Sequence, residues 1–316
     1  MRCCVIYYSQ TGNTEQIARA VRKGMGEVAG GCEIVRINEI KPHEVEKYDL
    51  IGIGSPVWNG GETPNVRRFI EAIPKQNGRH IFSFCTHGVM PEHYFPTAVR
   101  RLKNRGFAVI GSKNWFGSVH FQLASSPYYT EGHPDEIDLK EAEEFGKEMV
   151  ERSRRIKEGE ADLIPTLSPY VFTPQLWVLT EFYRSGHNPH GRLKYDPEKC
   201  LYPKCSLCVE NCLMEYIDLS ASPRKYGSLG TECDMWLGCT FCEMICPTGA
   251  IYCDWEAFLK ESGELLSMFE FNPLEEAAKQ CVASGKLRML IPFEEVRWDR
   301  LYFMVHNKRP RFKIKK

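Results

Sequence analysis

Cys3-Cys4-Val5-Ile6-Tyr7-Tyr8, followed at once by Ser9-Gln10-Thr11-Gly12-Asn13-Thr14, is the stretch on which the fold turns. From Arg2 to Tyr8 the residues are apolar without alternation, the pattern of a parallel strand buried on both faces. Beyond Thr14, the residues Ile17, Ala18, Val21, Met25 and Val28 recur at helical spacing. A loop rich in hydroxyls and amides therefore joins a strand to a helix N-terminus. Free backbone N–H groups and the positive end of the helix dipole suit that place to a phosphate. Ser9, Thr11, Asn13 and Thr14 add side-chain donors, and Gly12 permits close backbone approach. The Gly-Lys-Ser/Thr ending of a triphosphate loop and the G-x-G-x-x-G of a dinucleotide fold are both missing. The structural alternative is an ordinary strand-to-helix turn.

The same alternation continues downstream. Cys32 to Ile37 reads as a second strand and Leu50 to Ser55 as a third, which runs into a loop Ser55-Pro56-Val57-Trp58-Asn59-Gly60-Gly61. His80 to Cys85 is a fourth strand, followed by Thr86-His87-Gly88, and Ala108 to Phe116 is a fifth. Between them Val66, Phe69, Ile70 and Ile73 form one helical stripe, and Ala98 to Leu102 lies on another helix. Asp138-x-x-Glu141 reads as a capping box for a last helix, with Ala142, Phe145, Met149, Val150 and Ile156 on its apolar face. An aperiodic insert, Gly117 to Asp138, carries His120, Phe121, Tyr128, Tyr129 and His133. Loops of that length are often functional. A substrate pocket wall, a shielding lid and a domain-packing loop all suit it.

The Ser9–Thr14 loop resembles the FMN-phosphate loop of flavodoxins, and residues 1–158 are similar to that family. The resemblance implies an α/β fold: a doubly wound parallel five-stranded sheet of order 2-1-3-4-5, with FMN at the switch point. It implies that Ser9, Gln10, Thr11, Gly12, Asn13 and Thr14 hold the phosphate. It also implies that Ser55, Pro56, Val57, Trp58, Asn59 and Gly60, with Thr86, His87 and Gly88, bracket the isoalloxazine ring. Trp58 is the residue to stack on one ring face. His87 stands where many flavodoxins carry an aromatic, and it is the nearest candidate for a catalytic proton carrier.

A second signal lies further on. Cys200-x4-Cys205-x2-Cys208-x3-Cys212 is followed by Cys233-x5-Cys239-x2-Cys242-x3-Cys246-Pro247. Soft thiolates suit iron–sulfur clusters, and a cubane takes four. Residues 195–255 resemble a bacterial two-cluster ferredoxin, a small α+β domain, with longer first spacings and no proline after Cys212. The resemblance implies one [4Fe–4S] cluster on Cys200, Cys205, Cys208 and Cys246, and another on Cys233, Cys239, Cys242 and Cys212. The rival is zinc on Cys205, Cys208, Cys239 and Cys242, which leaves Cys212, Cys246 and Pro247 without a role. Cys3, Cys4 and Cys32 read as core residues on strands, Cys85 ends a strand, and Cys253 and Cys281 receive no assignment.

Residues 159–194 form a connector rich in proline and aromatics, a composition that suits a packed segment better than a loose tether. Residues 256–316 match neither family and end in six basic residues between Lys308 and Lys316. Lys and Arg number 41, as do Asp and Glu, so the formal charge is 0 and there is no overall electrostatic case for nucleic acid. No long apolar segment suits a membrane. The first strand starts at residue 2, which leaves no signal peptide, and thiols stay reduced in the cytoplasm expected here. The whole resembles flavodoxin–ferredoxin fusion proteins, known chiefly from anaerobes. That implies single-electron transfer between a redox partner, the clusters and FMN. The alternative is an FMN-dependent reductase of a small oxidised substrate fed through the clusters, and more remotely a zinc-bearing binding module. A homodimer stays open.

Overall fold

The structure, a computed structural model, describes residues 1–58, 60–88, 91, 94–120, 122, 124–166, 193–221, 239–261, 272–297, 300 and 302–306. Most of the connector, the Asn59, Phe121 and Cys233 positions and the basic C-terminal tail lie outside these residues. The chain divides into two compact units, Met1–Ser118 with Gly132–Phe172, and Val119–Glu131 with Thr173–Lys316.

The first unit is a six-stranded sheet. Its strands are β1 (Cys3–Tyr7), β2 (Glu33–Arg36), β3 (Leu50–Trp58), β4 (Gly61–Glu62), β5 (His80–His87) and β6 (Ala108–Phe116). The order is β2-β1-β3-β5-β6, all parallel, and β4 turns back antiparallel on β3. Without the hairpin strand this is the 2-1-3-4-5 order that the flavodoxin resemblance implies. Every residue of β1 is buried, as its unbroken apolar run requires. Cys3, Val5 and Tyr7 face α1 (Asn13–Ala29) and α4 (Glu136–Lys157), whose Ile17, Val21, Met25, Phe145 and Met149 close one core. On a second cluster, Cys85 packs with Tyr94 and Ala98 of α3 (Tyr94–Asn104). Helix α2 (Pro64–Ala72) buries Val66, Phe69 and Ile70.

Several boundaries differ from the sequence reading. β2 is shorter, Glu33–Arg36, and β5 runs past Cys85 through Thr86 to His87. Strand three does not stop at Ser55: it runs through Trp58, where Val57 pairs with Glu62 and Trp58 with Gly61. β3 thus turns back into β4, and Gly60, directly before β4, takes a positive φ of 74° that glycine tolerates. The last helix starts earlier than Asp138. Its N-cap is Asp135, which accepts from the Ile137 and Asp138 amides, while the Asp138 carboxylate takes the Asp135 N–H at 2.8 Å. Asp138 is the third residue of the box rather than its first; an aspartate reaches back there as a glutamate would.

The second unit pairs β7 (Lys194–Tyr195) antiparallel with β8 (Ile251–Tyr252). It also holds the short helices α5 (Leu207–Glu210) and α6 (Phe241–Ile245), then α7 (Trp255–Glu261), α8 (Asn272–Ala283) and α9 (Tyr302–His306). The insert is divided between the units. Gly117-Ser118 and Gly132–Asp135 stay with the sheet, whereas Val119–Glu131 is built into the second unit. There the Ser126 N–H bonds the Arg300 carbonyl at 2.8 Å and the Tyr302 N–H bonds the Ala124 carbonyl at 2.8 Å. Tyr128 and Tyr129 are buried with ring centroids 4.4 Å apart. Among the described residues no helix is long and apolar enough to cross a membrane.

Candidate functional site

Parallel neighbours β1, β3 and β5 send the loops after them to one edge of the sheet, so Ser9–Thr14, the Trp58 hairpin and Thr86–Gly88 share that edge. Ser9 is buried and its hydroxyl accepts the Gly12 N–H at 3.1 Å, which folds the loop on itself. Gly12 holds φ +99° with no atom within 4 Å of where a Cβ would stand, so the loop faces open space. The first-turn N–H groups of α1 have no acceptor within the helix. Gln10, Thr11 and Asn13 are half-buried beside them. This donor set fits a phosphate.

Three contacts knit the edge together that the sequence reading did not reach. The Thr14 and Thr86 hydroxyls lie 2.7 Å apart, both buried. The Asn13 amide donates to the Ser118 carbonyl at 2.7 Å, and the Gly117 N–H bonds the His87 carbonyl at 2.9 Å. Arg36, opposite Tyr7 in the β1–β2 register, donates to the Ser9 carbonyl at 3.1 Å and places a cation beside the loop. The parallel register of β2 is the signal that could have revealed it.

Ser55 is fully buried at the base of the hairpin, and its hydroxyl lies 3.2 Å from that of Thr63. Pro56, Val57 and Trp58 are half-buried, and Gly60 is buried at the tip. Behind them Glu62 is buried and takes Arg101 Nε at 2.6 Å and the Thr97 hydroxyl at 2.8 Å, fixing the hairpin to α3. His87 is also buried, with Nε2 2.9 Å from Asn114 Oδ1 and its ring 4.6 Å from that of Phe116; Gly88 beyond it is half-buried. One His87 nitrogen is thus committed to a neighbouring amide.

In the second unit, Cys200, Cys205, Cys208 and Cys246 line one cavity with Leu207 and Ile251. The sulfurs come from both ends of the cysteine region. Burial pushes the Cys208 thiol up to about 12, and the nearby sulfurs of Cys246, Cys200 and Cys205 add to the rise. A cationic centre among them removes that penalty, because a coordinating thiol is deprotonated outright. Burial also pushes Cys246 up. The Ile251, Thr248 and Ala250 amides and the Thr248 hydroxyl outweigh it, so this thiol falls below its usual value. The Ala250 N–H stands 3.2 Å from Cys246 Sγ.

Cys212, Cys239 and Cys242 are half-buried, and Cys239 packs on Phe241, Met244, Ile245 and Tyr302. Cys233 lies outside the described residues. Thr240, between Cys239 and Cys242, is buried with a positive φ of 36° that a β-branched residue rarely adopts. Among the described residues its hydroxyl has no hydrogen-bond partner, so an acceptor such as a cluster sulfur fits there. Zinc fits less well. Tetrahedral Zn–S bonds of about 2.3 Å put sulfurs roughly 3.8 Å apart. Among the described residues only His133, Asp135 and Asp138 draw three ligating atoms within 4.8 Å of one another. That trio is already consumed by capping: His133 Nδ1 lies 2.5 Å from Asp138 Oδ2. Cys205 and Cys208 share a cavity with Cys200 and Cys246.

Residues 4–114 match the family described as Flavodoxin domain. An uncharacterized protein of Methanocaldococcus jannaschii is 28% identical over 155 residues, covering 48% of this chain and 99% of its own. The flavodoxin of Megasphaera elsdenii is 25% identical over 111 residues, 34% of this chain and 81% of its own. An NAD(P)H dehydrogenase (quinone) of Archaeoglobus fulgidus is 25% identical over 194 residues, 49% of this chain and 98% of its own. Among solved structures, a flavodoxin from the domain Archaea aligns over 49% of this chain and 99% of its own, with 17% identity and a TM-score of 0.39. The N-terminal half is a flavodoxin-like domain.

Proposed function

We propose that the chain is an iron–sulfur flavoprotein that passes single electrons between a redox partner, two [4Fe–4S] clusters and FMN. The carrying observation is the meeting of Cys200, Cys205 and Cys208 with Cys246 in one cavity, on a chain whose other half is flavodoxin-like. Cys233, Cys239, Cys242 and Cys212 form the second ligand set. When bound, the clusters exchange electrons one at a time and the flavin holds one or two.

The residues divide the work. Ser9 to Thr14 take the phosphate on free amides and hydroxyls, and Arg36 offsets its charge. The hairpin holds Trp58 for one ring face, and Thr86 to Gly88 border the other side. The Ala250 N–H points its dipole at the Cys246 sulfur, which favours the more negative state of whatever that sulfur binds. The place is the cytoplasm, where these thiols stay reduced, and the partner is a soluble redox protein.

Anaerobic stopped-flow reduction by a one-electron protein donor tests this reading in wild type and Cys242→Ala. Flavin reduction that slows at least tenfold in the variant supports it; equal rates sink it. The second reading, a reductase of a small oxidised substrate, draws on the likeness to the NAD(P)H dehydrogenase (quinone). Reoxidation of the reduced flavin by quinones, enones or nitro compounds, with no protein acceptor present, decides for that reading.

A further inference from the structure

Glu243 is a carboxylate with 3% exposure on the five-residue helix α6, directly after Cys242 and three residues before Cys246. Burying an ionised group is costly unless donors surround it. Three segments supply them. The Cys253 N–H reaches Oε1 at 2.9 Å, Trp255 Nε1 reaches both oxygens at 3.0 Å, and Gln122 Nε2 reaches Oε2 at 3.2 Å. These three partners are all donors, so both oxygens act as acceptors, the role of an ionised carboxylate. Trp255 and Cys253 are fully buried, and Gln122, at 0% exposure, comes from the excursion Val119–Glu131. A neutral scaffold needs no such charge: an apolar contact or an amide would join the same segments with less desolvation.

We propose that Glu243 is a positioning and tuning residue for the cysteine helix. It anchors the Cys242 and Cys246 backbone to the Cys253–Trp255 turn and to the excursion, and its buried charge lowers the potential of the cluster that Cys242 ligates. The proposal rests on the two-cluster reading. It also gives the divided insert a role, since Gln122 brings one of the carboxylate's donors from the flavodoxin-like half of the sequence. A negative charge close to a cluster favours its oxidised state, and charge is among the levers that set such potentials.

The test is EPR-monitored redox titration of anaerobically purified full chain, with iron and sulfide counted in each sample. Glu243→Gln shifts one cluster signal to more positive potential and moves the other less. The exchange Glu243→Gln with Gln122→Glu, which returns a carboxylate to the pair, moves that signal back toward wild type. Gln122→Met, which keeps the charge and removes a donor, shifts it the opposite way. A fully loaded Glu243→Gln with both potentials unchanged overturns the proposal alone. Wild type without iron or sulfide overturns the two-cluster reading and this proposal with it. If Glu243→Gln retains no iron, Gln122→Met decides: an unmoved potential there overturns the tuning role.

Discussion

The Thr14 hydroxyl, at the helix end of the first loop, lies 2.7 Å from the Thr86 hydroxyl, 72 residues away at the end of β5. The Ser9–Thr14 loop is thereby tied to the end of β5. Thr86→Val keeps the shape and removes the bond. A neutral hydrogen bond contributes about 1 kcal/mol, so FMN affinity falls roughly fivefold. Fluorescence titration of the apoprotein reads this, and an unchanged Kd speaks against the coupling.

Asn13→Ala loses the bond to Ser118, and Thr11→Ala removes a half-buried hydroxyl from the same loop. Each weakens FMN retention, again by about 1 kcal/mol. Full flavin occupancy after extensive dialysis in both variants refutes the loop assignment.

On the two-cluster proposal, Cys208→Ala and Cys242→Ala each remove one ligand from a different set. Iron per chain drops from about eight to about four in either variant. Loss of all iron in Cys208→Ala alone, or none in Cys242→Ala, contradicts the division of ligands.

Glycines 24 and 146 let α1 and α4 touch. A Cβ on Gly146 would run into the Val21 carbonyl, and one on Gly24 into that of Glu143. Both clashes are with backbone, which cannot swing away. Gly146→Ala therefore costs about 1–3 kcal/mol of stability, the usual range for overpacking. Urea denaturation of the holoprotein checks it, and a midpoint equal to wild type excludes so close a crossing.

His80 is buried with Nδ1 2.8 Å from the Ser153 hydroxyl, and burial lowers its pKa from the ordinary 6.5. A histidine held neutral in the fold contributes fully above its unfolded pKa. Stability accordingly declines as pH drops below about 6.5. Denaturation midpoints at pH 7.5 and 5.5, compared with those of His80→Gln, isolate the effect; parallel behaviour of the two proteins denies it.

Much of the first unit was legible because its signals are local. β1 is one apolar run, Ala108 to Phe116 matches β6 residue for residue, and the α4 stripe of Ala142, Phe145, Met149 and Val150 is buried. The end of β3 has a physical cause: Pro56 and the glycines at 60 and 61 read as loop, yet Val57 and Trp58 pair with Glu62 and Gly61 and the strand continues. Asp135-x-x-Asp138 and Asp138-x-x-Glu141 both have the spacing of a capping box, and only the second ends in the usual glutamate. Contacts set by register or by long-range packing left no local trace. Arg36 beside Ser9, Thr86 on Thr14 and Gln122 on Glu243 join residues 27, 72 and 121 positions apart. The division of the insert was hidden for the same reason: Ala124 and Ser126 find backbone partners far along the chain, at Tyr302 and Arg300.

The most direct measurement is the cofactor content of the full chain purified without oxygen. The account predicts about eight iron and eight sulfide atoms for each FMN. Protein that holds flavin but zinc in place of iron and sulfide, or iron and sulfide without flavin, contradicts it.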